Sequence, residues 1–172
     1  MRVLGVGHCT LDYLGVVDRF VEPDFKKEFE QFSTQGGGAA ATAVVALSRW
    51  GVETAFVGKV GSDVRGDEIE RTLAEDGVDT SALVHQRNGI SQMSMILIET
   101  SSGRKNTYIT RGTVQPLAKD EVPLAVLDGV EVLLCDCTHL EAELQLIRAA
   151  KERGITVVLD ASDMTADLRE AV

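Results

Sequence analysis

Short hydrophobic runs alternate with longer amphipathic segments along most of the chain. The hydrophobic runs, which we predict to be strands, are residues 3–6, 54–57, 130–135 and 155–159. The amphipathic segments, which we predict to be helices, are residues 39–50, about 62–76 and 140–153. Apolar strands that alternate with helices are typical of a parallel sheet covered on both faces. The pattern therefore predicts an α/β fold with a mostly parallel central sheet.

Local signals mark the ends of the predicted helices. Ser62 or Asp63 is a suitable N-cap for the second helix, because its side-chain oxygen can accept a hydrogen bond from a free backbone N–H. Gly51, Gly77 and Gly154 follow the three helices and are typical of left-handed C-terminal caps.

Two stretches depart from the alternation of strands and helices. Residues 91–99 and 104–111 are strand-like and are joined by the polar residues 100–103, which is typical of a β-hairpin. Residues 16–34 carry hydrophobic side chains on a polar background, and their phenylalanines at 25, 29 and 32 fit either a strand or a helical stripe.

These two stretches predict a small antiparallel sheet inserted among the elements of the parallel one. We expect it to form a lid made of residues of about 14–34 and 91–111. A lid over a binding site excludes water and orients the ligand.

Three polar or glycine-rich segments adjoin the predicted core elements. A polar turn leads from the first strand to Asp12, a glycine turn at residues 35–38 precedes the first helix, and residues 136–139 follow the third strand. In parallel α/β sheets ligands bind at the carboxyl ends of the strands. We therefore expect these segments to surround one site.

The glycine turn and Asp12 are the candidate binding elements. Glycine permits close approach of the backbone to a ligand, and a helix start offers free N–H groups to oxygen-rich ligands such as sugars and phosphates. The carboxylate of Asp12 can accept two hydrogen bonds from neighbouring hydroxyls of a sugar. The alternatives are a plain tight turn for the glycines and a capping role for Asp12.

Charge and composition exclude several classes of function. The 172 residues carry a net charge of −10 and only 5% aromatic residues, which disfavours binding to nucleic acid. No apolar run approaches the roughly 18 residues of a membrane helix. Three unpaired cysteines favour a reducing, cytoplasmic location, and three scattered histidines show no metal-ligand spacing, so we predict no metal site.

The pair Gly5 and Gly7 is similar to the start of a dinucleotide-binding fingerprint. The third glycine is absent, since Thr10 stands in its place, and no helix pattern starts there. A nicotinamide-dependent oxidoreductase is therefore the weakest of the functions considered.

Four segments together resemble the PfkB (ribokinase-like) family of carbohydrate kinases. They are the first strand with Asp12, then QGGGAAATAVVALSRWG, FVGKVGSDVRGDEI and LAEDGVDTS, in the family's order and spacing. The resemblance implies a Rossmann-type sheet with a β-sheet lid and an ATP-dependent sugar kinase that uses ATP and Mg²⁺. It also implies a homodimer formed through the lid.

The resemblance also implies contacts to the sugar. Asp12 and the backbone of Gly37 and Gly38 would contact its hydroxyls, and Thr42 stands where many members carry asparagine. The string GGGAAATA is similar to the branch that includes sulfofructose kinases. The lid candidates are Lys26, Asn106, Tyr108 and Arg111. Thr138 occupies the position of that branch's sulfonate-binding arginine, which argues against a sulfosugar.

Family members are nearly twice as long as this chain. Their D-T-x-G-A-G-D motif, which carries the general base and the anion hole, has no counterpart in the sequence. We therefore expect residues 1–172 to be the N-terminal, sugar-binding part of a ribokinase-like domain that stops within a helix near residues 168–172. This part would have no catalytic residue, would bind little of ATP or Mg²⁺, and would be inactive alone. The alternative is a non-catalytic sugar- or nucleoside-binding module.

Overall fold

A four-stranded parallel sheet forms the centre of residues 1–160, the part of the chain that the computed structural model describes. Its strand order is β10-β9-β1-β4. The strands are β1 (Arg2–Val6), β4 (Glu53–Val57), β9 (Val132–Cys135) and β10 (Thr156–Leu159). All three strand pairs are parallel, as the hydrophobic runs predict. The helix expected near residues 168–172 lies outside the described residues.

Within residues 1–160, three α-helices cover both faces of this sheet. They are α1 (Ala39–Arg49), α2 (Val64–Glu75) and α3 (Leu140–Glu152). One apolar core joins α1 and α2 to the sheet through Val44, Phe56 and Ile69. A second core packs α3 against the other face. The predicted α/β architecture is confirmed, because helices pack on both faces of the parallel sheet and the strands β1 and β4 bury consecutive side chains.

The helix ends follow the predicted signals. The side chain of Asp63 accepts a hydrogen bond of 2.9 Å from Gly66 N and so caps α2. Gly51, Gly77 and Gly154 follow the helices with φ of 85°, 80° and 71°, in the left-handed region. Such a residue ends a helix by allowing the chain to turn back.

A second four-stranded sheet, the lid sheet, has the order β3-β2-β7-β8. Its strands are β2 (Thr10–Val17), β3 (Gln31–Gly37), β7 (Met93–Glu99) and β8 (Lys105–Thr110). It consists of two antiparallel hairpins whose inner strands, β2 and β7, pair in parallel. The hairpin predicted for residues 91–111 is present, and its turn closes with a hydrogen bond of 2.9 Å from Gly103 N to Glu99 O. A short parallel pair, β5 (Lys59–Gly61) and β6 (Val84–Gln86), lies beside α2.

The first half of the lid differs from the prediction in two ways. Strand β2 begins at Thr10, so Asp12 lies on a strand and not in a turn. Residues 18–30 form neither a helix nor a strand, so the helical alternative for the phenylalanines is wrong. Two of the rings pack on the sheet: Phe29 lies over Gly15, and its ring centre is 5.7 Å from that of Phe32. The ring of Phe25 is exposed.

The register of the strands divides the lid sheet into two faces. Paired residues share a face, and neighbours along a strand point to opposite faces. We call the face with Asp12, Ser94 and Ile109 the Asp12 face. The face with Tyr13, Met95 and Tyr108 is the Tyr13 face.

Within residues 1–160, no helix is both long and apolar enough to cross a membrane.

Candidate functional site

A cleft of about 960 Å³ lies where the lid sheet meets the first turn of α1. It extends along α1 and α2 and is lined by small side chains of α1 such as Ala43 and Ala46. The sequence predicts four of the lining residues as sugar contacts, namely Asp12, Gly37, Gly38 and Thr42. A cleft of this size matches the range of small-molecule sites.

The carboxylate of Asp12 lies against the backbone of Gly37. A β carbon built on Gly37 would be 2.3 Å from Asp12 Oδ2, which no real side chain tolerates. Thr10 Oγ1 donates a hydrogen bond of 3.3 Å to Asp12 Oδ1. An ionised carboxylate has about four acceptor positions, so Asp12 can accept further hydrogen bonds from a ligand.

Gly38 begins α1 in a conformation that only glycine adopts freely. Its φ is 107°, and a β carbon there would be 2.2 Å from the carbonyl oxygen of His8. The first helical hydrogen bond runs from Thr42 N to Gly38 O at 2.8 Å, and no side chain of Gly38 shields the helix start. The exposed Thr42 follows one turn later. The helix start therefore presents backbone N–H groups beside the cleft.

Behind the helix start lies a buried carboxylate, Asp136, which directly follows β9. Its Oδ2 accepts hydrogen bonds from His8 N and His8 Nδ1, both at 3.2 Å, and from Ala40 N at 3.4 Å. Its Oδ1 accepts from Thr138 N at 3.2 Å and from Thr138 Oγ1 at 2.6 Å. Asp136 thus joins the loop after β1, the start of α1 and the loop before α3.

The protonation states of this group follow from its contacts. The hydrogen bond to Asp136 raises the pKa of His8, against the opposing effect of burial. Burial would raise the pKa of Asp136, but the hydrogen bonds from His8 and Thr138 outweigh it and lower that pKa. Asp136 is therefore an ionised acceptor, and His8 donates through Nδ1–H.

A second buried carboxylate, Glu143, holds the loop between β9 and α3. It is fully buried and accepts hydrogen bonds from Cys137 N at 2.7 Å and from His139 N at 2.9 Å. Burial raises the pKa of Glu143 to about 7. His139 is also buried, its Nδ1 accepts from Leu117 N at 3.2 Å, and burial lowers its pKa.

The sequence pattern places the turn after the first strand and residues 136–139 at the site, but it assigns no role to His8, Asp136 or Glu143. The usable signal was the position of Asp136 directly after an apolar strand, where ligand-side residues of parallel sheets lie. Nothing in the local sequence indicates that His8 contacts it, because the two residues are 128 positions apart.

The lid candidates do not join the cleft that Asp12 lines. By strand register Asn106 and Tyr108 lie on the Tyr13 face, opposite to Asp12. Lys26, in the connection between β2 and β3, and Arg111, after β8, are exposed. Thr138 is exposed and donates to Asp136 without lining the cleft. A sugar contact by any of these five stays a prediction.

The described residues contain no group of three or more His, Cys, Asp or Glu side chains placed to hold a metal ion. We therefore assign no metal ligand within residues 1–160.

Comparison with known proteins gives the family context of this site. A family model described as pfkB family carbohydrate kinase matches residues 2–172. An ATP-dependent ribose-1-phosphate kinase from Halopiger xanaduensis is 28% identical over 176 residues, which cover 97% of this chain and 56% of that protein. A nucleoside kinase from Methanothermobacter thermautotrophicus is 34% identical over 121 residues, which cover 70% of this chain and 39% of that protein. The chain therefore spans about half the length, or less, of such relatives.

Solved structures show the same fold. The structure of Arabidopsis thaliana ribokinase complexed with ribose and ATP matches with a TM-score of 0.79 at 20% identity. The match covers 99% of this chain and 57% of that one. The architecture of the chain is therefore ribokinase-like.

Proposed function

The chain belongs to the pfkB family of carbohydrate kinases, and we propose that it forms the carbohydrate-binding part of an ATP-dependent sugar kinase. The observation that carries this proposal is the position of the Asp12 carboxylate against Gly37, beside the start of α1, in one open cleft. A carboxylate acceptor opposite backbone N–H donors suits a polyol, because each hydroxyl both donates and accepts hydrogen bonds.

The residues of the cleft would bind and orient the sugar. Asp12 accepts hydrogen bonds from two hydroxyls, while Gly37 and Gly38, which lack side chains, let the sugar approach the backbone. Thr42 offers one hydroxyl on the first turn of α1. The lid sheet covers one side of the cleft and limits the access of water, which strengthens these hydrogen bonds.

ATP is the proposed phosphate donor, and it supplies the γ-phosphoryl group for in-line transfer to a sugar hydroxyl. The general base that the family resemblance implies has no motif in this sequence. We therefore assign to these residues the binding of the sugar and not the proton transfer. Mg²⁺ is expected with ATP, and no described residue is assigned to it.

The proposed substrate is a small carbohydrate or nucleoside. The matched relatives are named ATP-dependent ribose-1-phosphate kinase, nucleoside kinase and 5-dehydro-2-deoxygluconokinase, which supports this range.

We also propose that two copies associate through the Tyr13 face of the lid sheet. Phe32 and Tyr108 on this face are 56% and 60% exposed, and Phe29 packs beside Phe32. Exposed aromatic clusters of this kind mark interaction sites.

The three cysteines are free thiols, which supports a reducing location such as the cytoplasm.

The test is a coupled assay of ADP release with MgATP and D-ribose, D-fructose, adenosine and inosine in turn. It uses the longest natural protein that contains this chain, and the 172-residue chain in parallel. We expect one sugar or nucleoside to stimulate ADP release by the longer protein and none to do so with the 172-residue chain. Saturable sugar binding by the longer protein without ADP release would support the non-catalytic binding module instead.

A further inference from the structure

One carboxylate, that of Asp136, connects the two walls of the carbohydrate cleft. On one side it accepts hydrogen bonds from the backbone and the ring of His8, four residues before Asp12 on the same segment. On the other side it accepts from Ala40 N, in the first turn of α1 and two residues after Gly38. The wall that carries Asp12 and the wall made by α1 therefore meet at one buried group.

The sequence makes room for this carboxylate with glycine. A β carbon on Gly7 would lie 2.1 Å from Asp136 Oδ2. The backbone of His8 in turn contacts Gly38, where a β carbon would be 2.2 Å from His8 O. Gly7 is therefore needed to leave space for the Asp136 carboxylate. This packing role explains a glycine that, in the sequence, is similar to part of a dinucleotide-binding fingerprint.

Donors of the protein also fill the hydrogen-bonding capacity of this carboxylate. It is 7% exposed and receives five hydrogen bonds, three on Oδ2 and two on Oδ1. Every partner is an N–H or O–H donor. An asparagine at this position would place its NH₂ group against at least one of these donors and lose that contact.

We propose that Asp136 is a positioning residue of the carbohydrate site, which holds β2 and the start of α1 at the spacing that the sugar requires, with His8 as its partner. This inference rests on the proposed function. Neither residue lines the cleft, so both act through Asp12, Gly37 and Gly38. A misplacement of such walls by about 1 Å is enough to reduce turnover by a factor of about 100.

His8 is the titrating member of the pair. The charged and titratable groups that act on it are Asp136, Asp12 and Glu143, and it lies near His139. All three carboxylates favour its cation. As pH rises through the pKa of His8, its ring keeps the Nδ1–H but loses its positive charge. The electrostatic attraction between His8 and Asp136, which links the two walls, therefore weakens.

The test uses four variants of the longest natural protein that contains this chain. They are Asp136→Asn, His8→Ala, His8→Asn, whose amide retains a donor near Nδ1 without titrating, and Asp67→Asn as an exposed acid-to-amide control. The KM for the sugar that supports turnover, the KM for ATP, kcat and thermal unfolding are measured between pH 6 and 9.

We expect Asp136→Asn and His8→Ala to raise the sugar KM about 10-fold or more and to leave the ATP KM within about 2-fold. We also expect the sugar KM of the wild type to rise at alkaline pH, where His8 loses its charge. His8→Asn should keep the sugar KM within about 3-fold of the wild-type value and should not show this rise. An unchanged sugar KM in Asp136→Asn, or equal sugar KM values in His8→Ala and His8→Asn, would overturn the proposal. If Asp136→Asn does not fold, the two His8 variants decide.

Hydrogen exchange separates this inference from the proposed function. If no carbohydrate supports turnover by the wild type, the proposed function fails, and the amides of residues 39–42 are compared among the same proteins. Faster exchange of these amides in His8→Ala than in His8→Asn and Asp67→Asn supports the positioning role. Equal exchange in all three overturns it.

Discussion

The side chain of Asp12 occupies the space that a side chain at position 37 would need. The distance of 2.3 Å between Asp12 Oδ2 and a β carbon built on Gly37 makes the two positions mutually exclusive for larger residues. Gly36, one residue earlier on β3, is different, because a β carbon there would meet only Thr72 Oγ1 at an ordinary 3.5 Å. Position 37 therefore requires glycine to accommodate the Asp12 carboxylate, whereas position 36 has space for a β carbon.

This contrast makes Gly37→Ala a test of the site. The added methyl displaces the Asp12 carboxylate, so we expect the KM for the sugar to rise by about 10-fold or more. Gly36→Ala is the matched control and should leave the KM within about 2-fold, because its β carbon meets only Thr72 Oγ1 at 3.5 Å and does not displace Asp12. Steady-state kinetics of both variants checks this. Similar KM values for the two would show that the carboxylate is not at the sugar.

Removal of the Asp12 carboxylate should weaken binding more strongly. Hydrogen bonds to a charged group contribute about 1.5–3 kcal/mol each. If Asp12 accepts from two hydroxyls, Asp12→Ala should raise the Kd of the sugar by about 100-fold or more, and Asp12→Asn by less. Isothermal titration calorimetry measures both, with Asp67→Asn as the exposed control. Unchanged affinity in Asp12→Ala would remove the residue from the binding site.

The buried Glu143 predicts a pH dependence of stability. Its pKa of about 7 in the folded protein lies above the ordinary value of 4.5, so the folded state holds a proton that the unfolded state releases between these values. Stability from this group therefore falls as pH rises from about 4.5 to 7, by at most about 1.4 kcal/mol per pH unit.

The variant Glu143→Gln isolates this contribution, because the histidines titrate in both proteins. We expect the Tm of the wild type to fall relative to that of Glu143→Gln between pH 5 and 7, and the difference to become constant above pH 8. Differential scanning calorimetry in matched buffers measures the two Tm values. A Tm difference independent of pH would mean that the Glu143 carboxyl is ionised throughout.

The proposed dimer makes the Tyr13 face a target for charge insertion. Met95 and Tyr108 are 43% and 60% exposed, so the double variant Met95→Lys with Tyr108→Lys should fold with little loss of stability. Like charges placed across a symmetric interface repel. We expect light scattering to give half the mass of the wild type. Trp50→Lys, at an 80% exposed position outside the lid sheet, should keep the wild-type mass.

Much of the fold was predictable because its signals are local. The parallel strands follow from unbroken apolar runs, and the helix ends follow from single residues such as Asp63 and Gly77. These features depend on neighbours a few positions away, and the structure confirms them.

The contacts that build the site were less accessible to sequence reasoning. The Asp136–His8 pair joins residues 128 positions apart, and its geometry depends on how two loops meet. The face on which Asn106 and Tyr108 lie depends on strand register across β2, β7 and β8, which a single sequence does not specify. The phenylalanines at 25, 29 and 32 have a helix-like spacing, but Phe29 and Phe32 pack together on the lid sheet and residues 18–30 form no helix.

Strand β2 places Asp12 and Tyr13 on opposite faces of one thin sheet. Alternate positions of this strand can therefore vary independently in evolution. Changes on the Asp12 face alter the contacts to the ligand, and changes on the Tyr13 face alter the contacts to a neighbouring molecule. A substitution on one face leaves the other face unchanged. The deletion of a single residue between Thr10 and Val17 would instead move the side chains of one face to the other. We therefore expect the length of this segment to be inherited more strictly than its composition.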